Sequence, residues 1–128
     1  MNLRNKKFVR TVQIIFGLYL AFFGLIGYFI TLPAPQFNEA GLAFLNALFA
    51  TGYLNHFMSV IFVASGLTFI FDRWSAFGAA ILTPITANIL LFHIFLDITG
   101  WWMAIISGIL NLYLLWVHWP RYKPMFTK

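Results

Sequence analysis

Residues 69–77 read FIFDRWSAF, and Asp72 and Arg73 are the only charged residues between Leu54 and Leu96. Undivided, that apolar run would be about twice the roughly 20 residues that cross a bilayer as a helix. Divided at the charged pair, it gives two helices, over residues 54–71 and 74–96, joined by a short turn. The flanks repeat the pattern. Upstream, residues 8–32 are apolar, with Arg4, Lys6 and Lys7 before them and Arg10 at their start, and are followed by the breaker Pro33-Ala34-Pro35. Downstream, after Asp97-Ile98-Thr99-Gly100, residues 101–119 form a last apolar run that ends at Pro120 and the tail Arg121-Tyr122-Lys123.

The expected fold class is therefore all-α: a four-transmembrane-helix up-down bundle forming a single membrane domain over residues 1–128. Composition agrees. Of 128 residues, 62% are hydrophobic and only 9% charged, with a mean hydropathy of +0.86, whereas a soluble domain carries roughly 25% charged residues. The basic start followed by an apolar run also suits a secretory signal peptide. Its length does not, because a signal core has about 7 to 15 apolar residues, so the first run is expected to be an uncleaved span.

Between the first two spans lies QFNEAGLAFLNALFATGY, residues 36–53. Asn38 can cap a helix, Glu39 suits its positive N-terminal end and Gly52 can stop it. Leu42, Leu45, Leu48, Phe49 and Tyr53 approximate one stripe. A helix over residues 39–52 is too short to span, so it is expected to be interfacial or re-entrant.

The formal charge of +5 and the pI near 9.9 do not indicate nucleic acid, because the basic residues flank apolar runs where anionic lipid headgroups account for them. In a four-span arrangement every Lys and Arg falls on one side and Glu39 and Asp97 on the other. Positive charge marks the cytoplasmic side, so both termini are expected there, in a bacterial inner membrane. The chain has no cysteine, which excludes a disulfide, thiolate cluster ligation and a thiol relay in this chain.

Helices in lipid associate through close packing of small residues. Gly17, Ala21, Gly24 and Tyr28 give such a stripe on the first span, Ala76, Ala80, Thr83 and Ala87 on the third, and Ala104, Gly108 and Asn111 on the fourth. Pro84 is expected to kink the third span, with Thr83 or Thr86 satisfying part of the freed backbone. The tryptophans at 74, 101, 102, 116 and 119 fit interfacial belts.

The polar residues of ANILLFHIFLD, 87–97, are the candidate site. His93 and Asp97 stand at i and i+4, so the carboxylate can hold the imidazole. Asn88 and Asn111 have similar depth and can clasp across two helices, a contact worth roughly 0.6–2 kcal/mol. His56 shares the outer half with His93. A bis-histidine haem or a metal held by these residues is weighed and set aside, since no HExxH or Cys/His spacing is present.

The glycine-studded GLYLAFFGLIGYF, the segment ending TGYL, the turn FDRWS, the stretch PITANILLFHIFLD and a last helix running into RYKP resemble the DoxX-like family of small four-helix membrane proteins. The similarity covers roughly residues 10–126. It implies a four-helix bundle acting as a small, non-catalytic subunit of a membrane redox assembly, or a role in maturation or export reception. Two functions follow as expectations. One is binding of a hydrophobic carrier such as quinone near the outer leaflet, with His93, backed by Asp97, donating to a carbonyl, and Asn88, His56 or Asn111 assisting. The alternative is a non-enzymatic lipid-binding or assembly scaffold. Expected partners are membrane lipid and either other membrane subunits or further copies of the chain. A transporter is third, for want of inverted repeats.

Overall fold

The computed structural model describes residues 2–30, 37–98 and 100–128. Their elements are α1 (Lys6–Phe29), α2 (Glu39–Ala50), α3 (Leu54–Ile70), α4 (Ser75–Phe95), α5 (Trp101–Val117), α6 (Trp119–Tyr122) and a closing 3₁₀ turn, Lys123–Phe126, with no strand among the described residues. The all-α class is as expected. The breaker Pro33-Ala34-Pro35 and Thr99 lie outside the described residues.

Local chemistry sets the ends. Asn5 starts α1 by accepting the Lys7 N–H at 2.8 Å, two residues before the expected start. Asn38 caps α2, accepting the Gly41 N–H at 2.8 Å. Gly52 follows α2 with φ +79°, a left-handed conformation that a side chain would strain. In the turn after α3, Asp72 and Trp74 hold φ values of 51° and 60°, rare for residues with a Cβ. Pro120 does not end the helical structure. It sits in the first turn of α6, where its missing N–H is not needed, and the chain bends there by 65°.

Helix α1 packs along α3, α3 on α4 and α4 on α5, while α5 meets α1 over only a short stretch. Neighbours run antiparallel. Arg10, early in α1, donates to the Phe69 and Ile70 carbonyls at the end of α3, and Asn55, at the start of α3, donates to the Gly27 carbonyl at 3.0 Å near the end of α1. Both chain termini therefore lie at one end, called the termini end below. Backbone meets backbone at the α1–α3 seam, where a Cβ on Gly66 would stand 2.6 Å from the Gly17 carbonyl oxygen and one on Gly17 would stand 2.7 Å from that of Gly66. The Gly17/Gly24 stripe thus packs as expected, as does Ala104, Gly108 and Asn111, all buried on α5.

The α4 stripe differs from expectation. Ala80 and Ala87 are exposed, and Ser75, Gly78, Ala79, Leu82 and Thr86 are buried instead. The face turned inward is the one that fits α3: a Cβ on Gly78 would meet the Thr68 hydroxyl at 2.0 Å, and the Ser65 hydroxyl donates to the Gly78 carbonyl at 3.1 Å. Helix α4 runs unbroken through Pro84, and the Thr83 hydroxyl donates to the Ala79 carbonyl at 2.7 Å. The core comprises Phe16, Leu20, Phe69, Ala79, Leu82 and Leu114, with the Phe16 and Phe69 rings stacked at 5.8 Å.

Outside this narrow core the helices are apolar and exposed: Phe22, Phe71, Ile94, Phe95, Ile109 and Leu112 each leave more than half of their surface uncovered. That surface suits hydrocarbon, not water. Helices α1 and α4 are long and apolar enough to cross a membrane, and the number rises to four if α2–α3, bent by 89°, and α5–α6 each count as one span.

Candidate functional site

The loose α1–α5 seam leaves a cavity of about 380 Å³ in the half of the bundle away from the termini. Four helices line it with regular stripes. Helix α4 contributes Leu82, Thr86, Ile89 and His93, spaced i, i+4, i+7 and i+11 on one face, and α1 contributes Phe16, Tyr19, Leu20 and Phe23. Helix α5 adds Met103, Ala104 and Ser107, α3 adds Phe62, and Phe37 and Gly100 close the far end. A second cavity, of about 170 Å³, shares Phe16, Tyr19, Met103 and Ser107 and continues along the seam past Trp102 and Ile106. The walls are apolar with few polar groups. The hydroxyls of Tyr19, Thr86 and Ser107 make no hydrogen bond to the described residues, which leaves them free for a guest.

His93 reaches Asp97, but not through the carboxylate. Its Nδ1 stands 3.0 Å from the Asp97 main-chain carbonyl. A carbonyl only accepts, so Nδ1 carries a proton, and Nε2 makes no hydrogen bond to the described residues. The expectation that the Asp97 carboxylate holds the His93 ring is corrected: the main-chain carbonyl of Asp97 does so. The carboxylate, on a residue only 5% exposed, accepts the Asn38 N–H instead, while the Asn38 side chain donates to the Leu96 carbonyl at 2.7 Å. Asp97 thereby fastens the start of α2 to the end of α4, which also brings Phe37 against Phe92 and His93.

The other expected site residues lie elsewhere. Asn88 is exposed and makes no hydrogen bond to the described residues, so the Asn88–Asn111 clasp does not form. Asn111 is buried and donates to the Ala79 carbonyl at 3.3 Å and the Thr83 hydroxyl at 3.2 Å. Its amide oxygen has no partner. The pairing failed because Asn88 lies on the opposite side of α4 from Thr83, a rotation that sequence depth does not reveal. His56 is exposed, stacks beside Tyr28 at 4.6 Å and lines a separate cavity of about 210 Å³ with Asn55 and Gly52. His56 and His93 thus border different spaces. No group of three or more metal-ligating side chains occurs among the described residues.

A polar cluster at the termini end was not foreseen. Gln13, 1% exposed, donates through Nε2 to Asp72 Oδ1 at 2.8 Å and to Ser75 Oγ at 3.3 Å. The carboxylate accepts only, which fixes the amide orientation and turns Oε1 toward His118. The His118 Nε2–H donates to it at 3.0 Å. A lone Gln in an apolar run was the available signal. Its partners, 59 and 105 residues away, were not.

Compared with protein-family models, curated proteins and solved structures, the chain gives no match.

Proposed function

We propose that this chain is a four-span membrane protein whose α1–α5 cavity receives a lipid-soluble molecule carrying a hydroxyl, of the quinol type, and that it serves as a non-catalytic small subunit of a membrane redox assembly. The DoxX-like resemblance, carried by the quoted segments alone, leads to the redox setting. Helices α3 and α5, 17 residues each, fall at the short end of the roughly 17 to 25 residues that span a bilayer, and they run beside α1 and α4. Helix α2, at 89° to α3, then lies across the outer mouth, and both termini face the cytoplasm with the basic residues.

The observation that carries the reading is the His93 imidazole in a mostly apolar cavity, with Nδ1 committed and Nε2 open. A volume of about 380 Å³ lies at the low end of ligand pockets, roughly 300–1,000 Å³. It suits a ring or headgroup, with an isoprenoid tail following the second cavity out between α1 and α5 into lipid. Phe16, Phe37 and Phe62 would flank the ring. His93 Nε2 would accept the hydroxyl proton, and Tyr19, Thr86 or Ser107 would serve a second oxygen.

The test is extraction of purified protein with organic solvent and mass spectrometry of what it holds. Wild type should carry quinone or quinol. His93→Leu, which removes one hydrogen bond of about 0.5–1.5 kcal/mol, should lower retention about two- to tenfold. Ala104→Phe, which fills the cavity, should abolish it. Retention unchanged in both variants would refute the cavity, and a wild type carrying only phospholipid would favour the alternative role as a lipid-binding or assembly scaffold.

A further inference from the structure

The α1–α5 seam opens again at the termini end into a cleft of about 780 Å³. Five of the chain's eight Lys and Arg residues line it: Arg4, Lys6, Lys7, Arg10 and Arg121. Two of these cations are fixed in the walls. Arg10 donates to the last carbonyls of α3, at the negative end of that helix. Arg4 donates to the Trp116 carbonyl at 3.1 Å and lies 4.3 Å over the Trp116 ring. The side chains of the other three, Lys6, Lys7 and Arg121, form no hydrogen bond or ion pair with any described residue. The sole carboxylate in the cleft, Asp72, accepts from Gln13 and from Ser75 and neutralises none of them. Val9 of α1 and Val117 of α5 also line the cleft.

Three exposed, unpartnered cations in one cleft with two anchored guanidiniums match an anion of high charge density with several acceptor oxygens. We propose that this cleft is a binding site for a phosphoryl group, held by Lys6, Lys7 and Arg121 against the Arg4 and Arg10 guanidiniums. Ammonium and guanidinium groups both match phosphate oxygens. The phosphoryl group belongs either to an anionic lipid headgroup, with acyl chains along Val9 and Val117, or to a soluble phosphate, and the chemistry at the cleft is the same for both.

The site is separate from the His93 cavity. Its test is binding by the full chain in neutral detergent, measured by native mass spectrometry with dioleoyl phosphatidylglycerol, dioleoyl phosphatidylcholine and inorganic phosphate. Each cation near an anionic headgroup contributes about fivefold in affinity, so Lys6→Gln/Lys7→Gln/Arg121→Gln should lower phosphatidylglycerol binding by roughly a hundredfold. The control Arg73→Gln/Lys123→Gln/Lys128→Gln removes the same charge outside the cleft and should stay within threefold of wild type. A loss below tenfold in the first variant, or an equal loss in the control, overturns the proposal. The charge-preserving Lys6→Arg/Lys7→Arg/Arg121→Lys should bind like wild type. In wild type alone, affinity should fall steeply with added sodium chloride, and a flat dependence overturns the proposal without any variant. Phosphatidylglycerol binding that millimolar phosphate does not displace identifies the lipid as source, and displacement at micromolar phosphate identifies the soluble anion.

Discussion

Replacing Gly66 by alanine sets a methyl group 2.6 Å from the Gly17 carbonyl oxygen and 2.9 Å from the Ala21 nitrogen. Both are backbone atoms of α1, so no side-chain rotation relieves the clash, and ordinary contact at 3.4 Å requires the helices to part by about 0.8 Å. A gap of that size forfeits roughly a quarter to a half of each contact's attraction. If the seam holds on the order of forty close atom pairs at about 0.1–0.2 kcal/mol each, the loss is roughly 1–4 kcal/mol. Alanine returns about 1 kcal/mol through its better helix propensity, which leaves a net destabilisation of up to about 3 kcal/mol. Gly27→Ala is the matched control on α1, since its methyl would meet only the Ser59 hydroxyl, at 3.3 Å. It should be neutral or slightly stabilising. Unfolding in mixed dodecyl maltoside and dodecyl sulfate micelles, followed by tryptophan fluorescence, measures both. Gly17→Ala should resemble Gly66→Ala, and the double variant should lose less than the sum, because helices already parted accommodate the second methyl. A Gly66→Ala midpoint at or above that of wild type would refute the close approach of α1 and α3.

Asp97→Ala removes the acceptor of the Asn38 N–H and should destabilise by about 1–3 kcal/mol, with hydrogen exchange rising across residues 38–50 while α1 and α3 stay protected. Gln13→Leu leaves Asp72 and His118 without their shared partner and should lower the unfolding midpoint by the equivalent of about 1–3 kcal/mol; a more stable variant would show that the cluster is no structural tie. Burial pushes the Tyr122 phenol up to about 12 from its ordinary 10, and its hydroxyl donates to the Ala76 carbonyl. The folded chain therefore holds this proton more tightly than the unfolded one, so its contribution to stability is complete below pH 10 and is lost as pH rises from 10 toward 12. Tyr122→Phe should flatten that part of a pH–stability curve. Because the chain has no cysteine, Asn46→Cys on α2 and Lys128→Cys can be labelled without background. A membrane-impermeant maleimide should reach the first in intact spheroplasts and the second only after permeabilisation.

Hydrophobic runs and their punctuation determined the helices. FDRWS, the Asn38 cap and Gly52 act through the backbone within a few residues, so sequence alone located α1 to α5 to within a few positions at each end. The candidate site was legible only in part. His93 stood out in the sequence as a polar residue in an apolar run, and it lines the cavity with Leu82, Thr86 and Ile89, a periodicity that was available to read. Which face of α4 turns inward was not, because in a chain apolar all round, period does not separate the core side from the lipid side. That rotation sent Asn88 outward and gave Asn111 to Thr83. The atom of Asp97 that meets His93, the Gln13 link between Asp72 and His118, and the gathering of five cations at one seam depend on contacts between distant parts of the chain. Sequence determined where the helices begin and end, because capping and hydropathy are local. Tertiary structure alone decided which polar groups meet, because each helix's rotation is set by its closest contacts with its neighbours, Gly17 on Gly66, Gly78 on Thr68 and Gly108 on Leu90, which join distant parts of the chain.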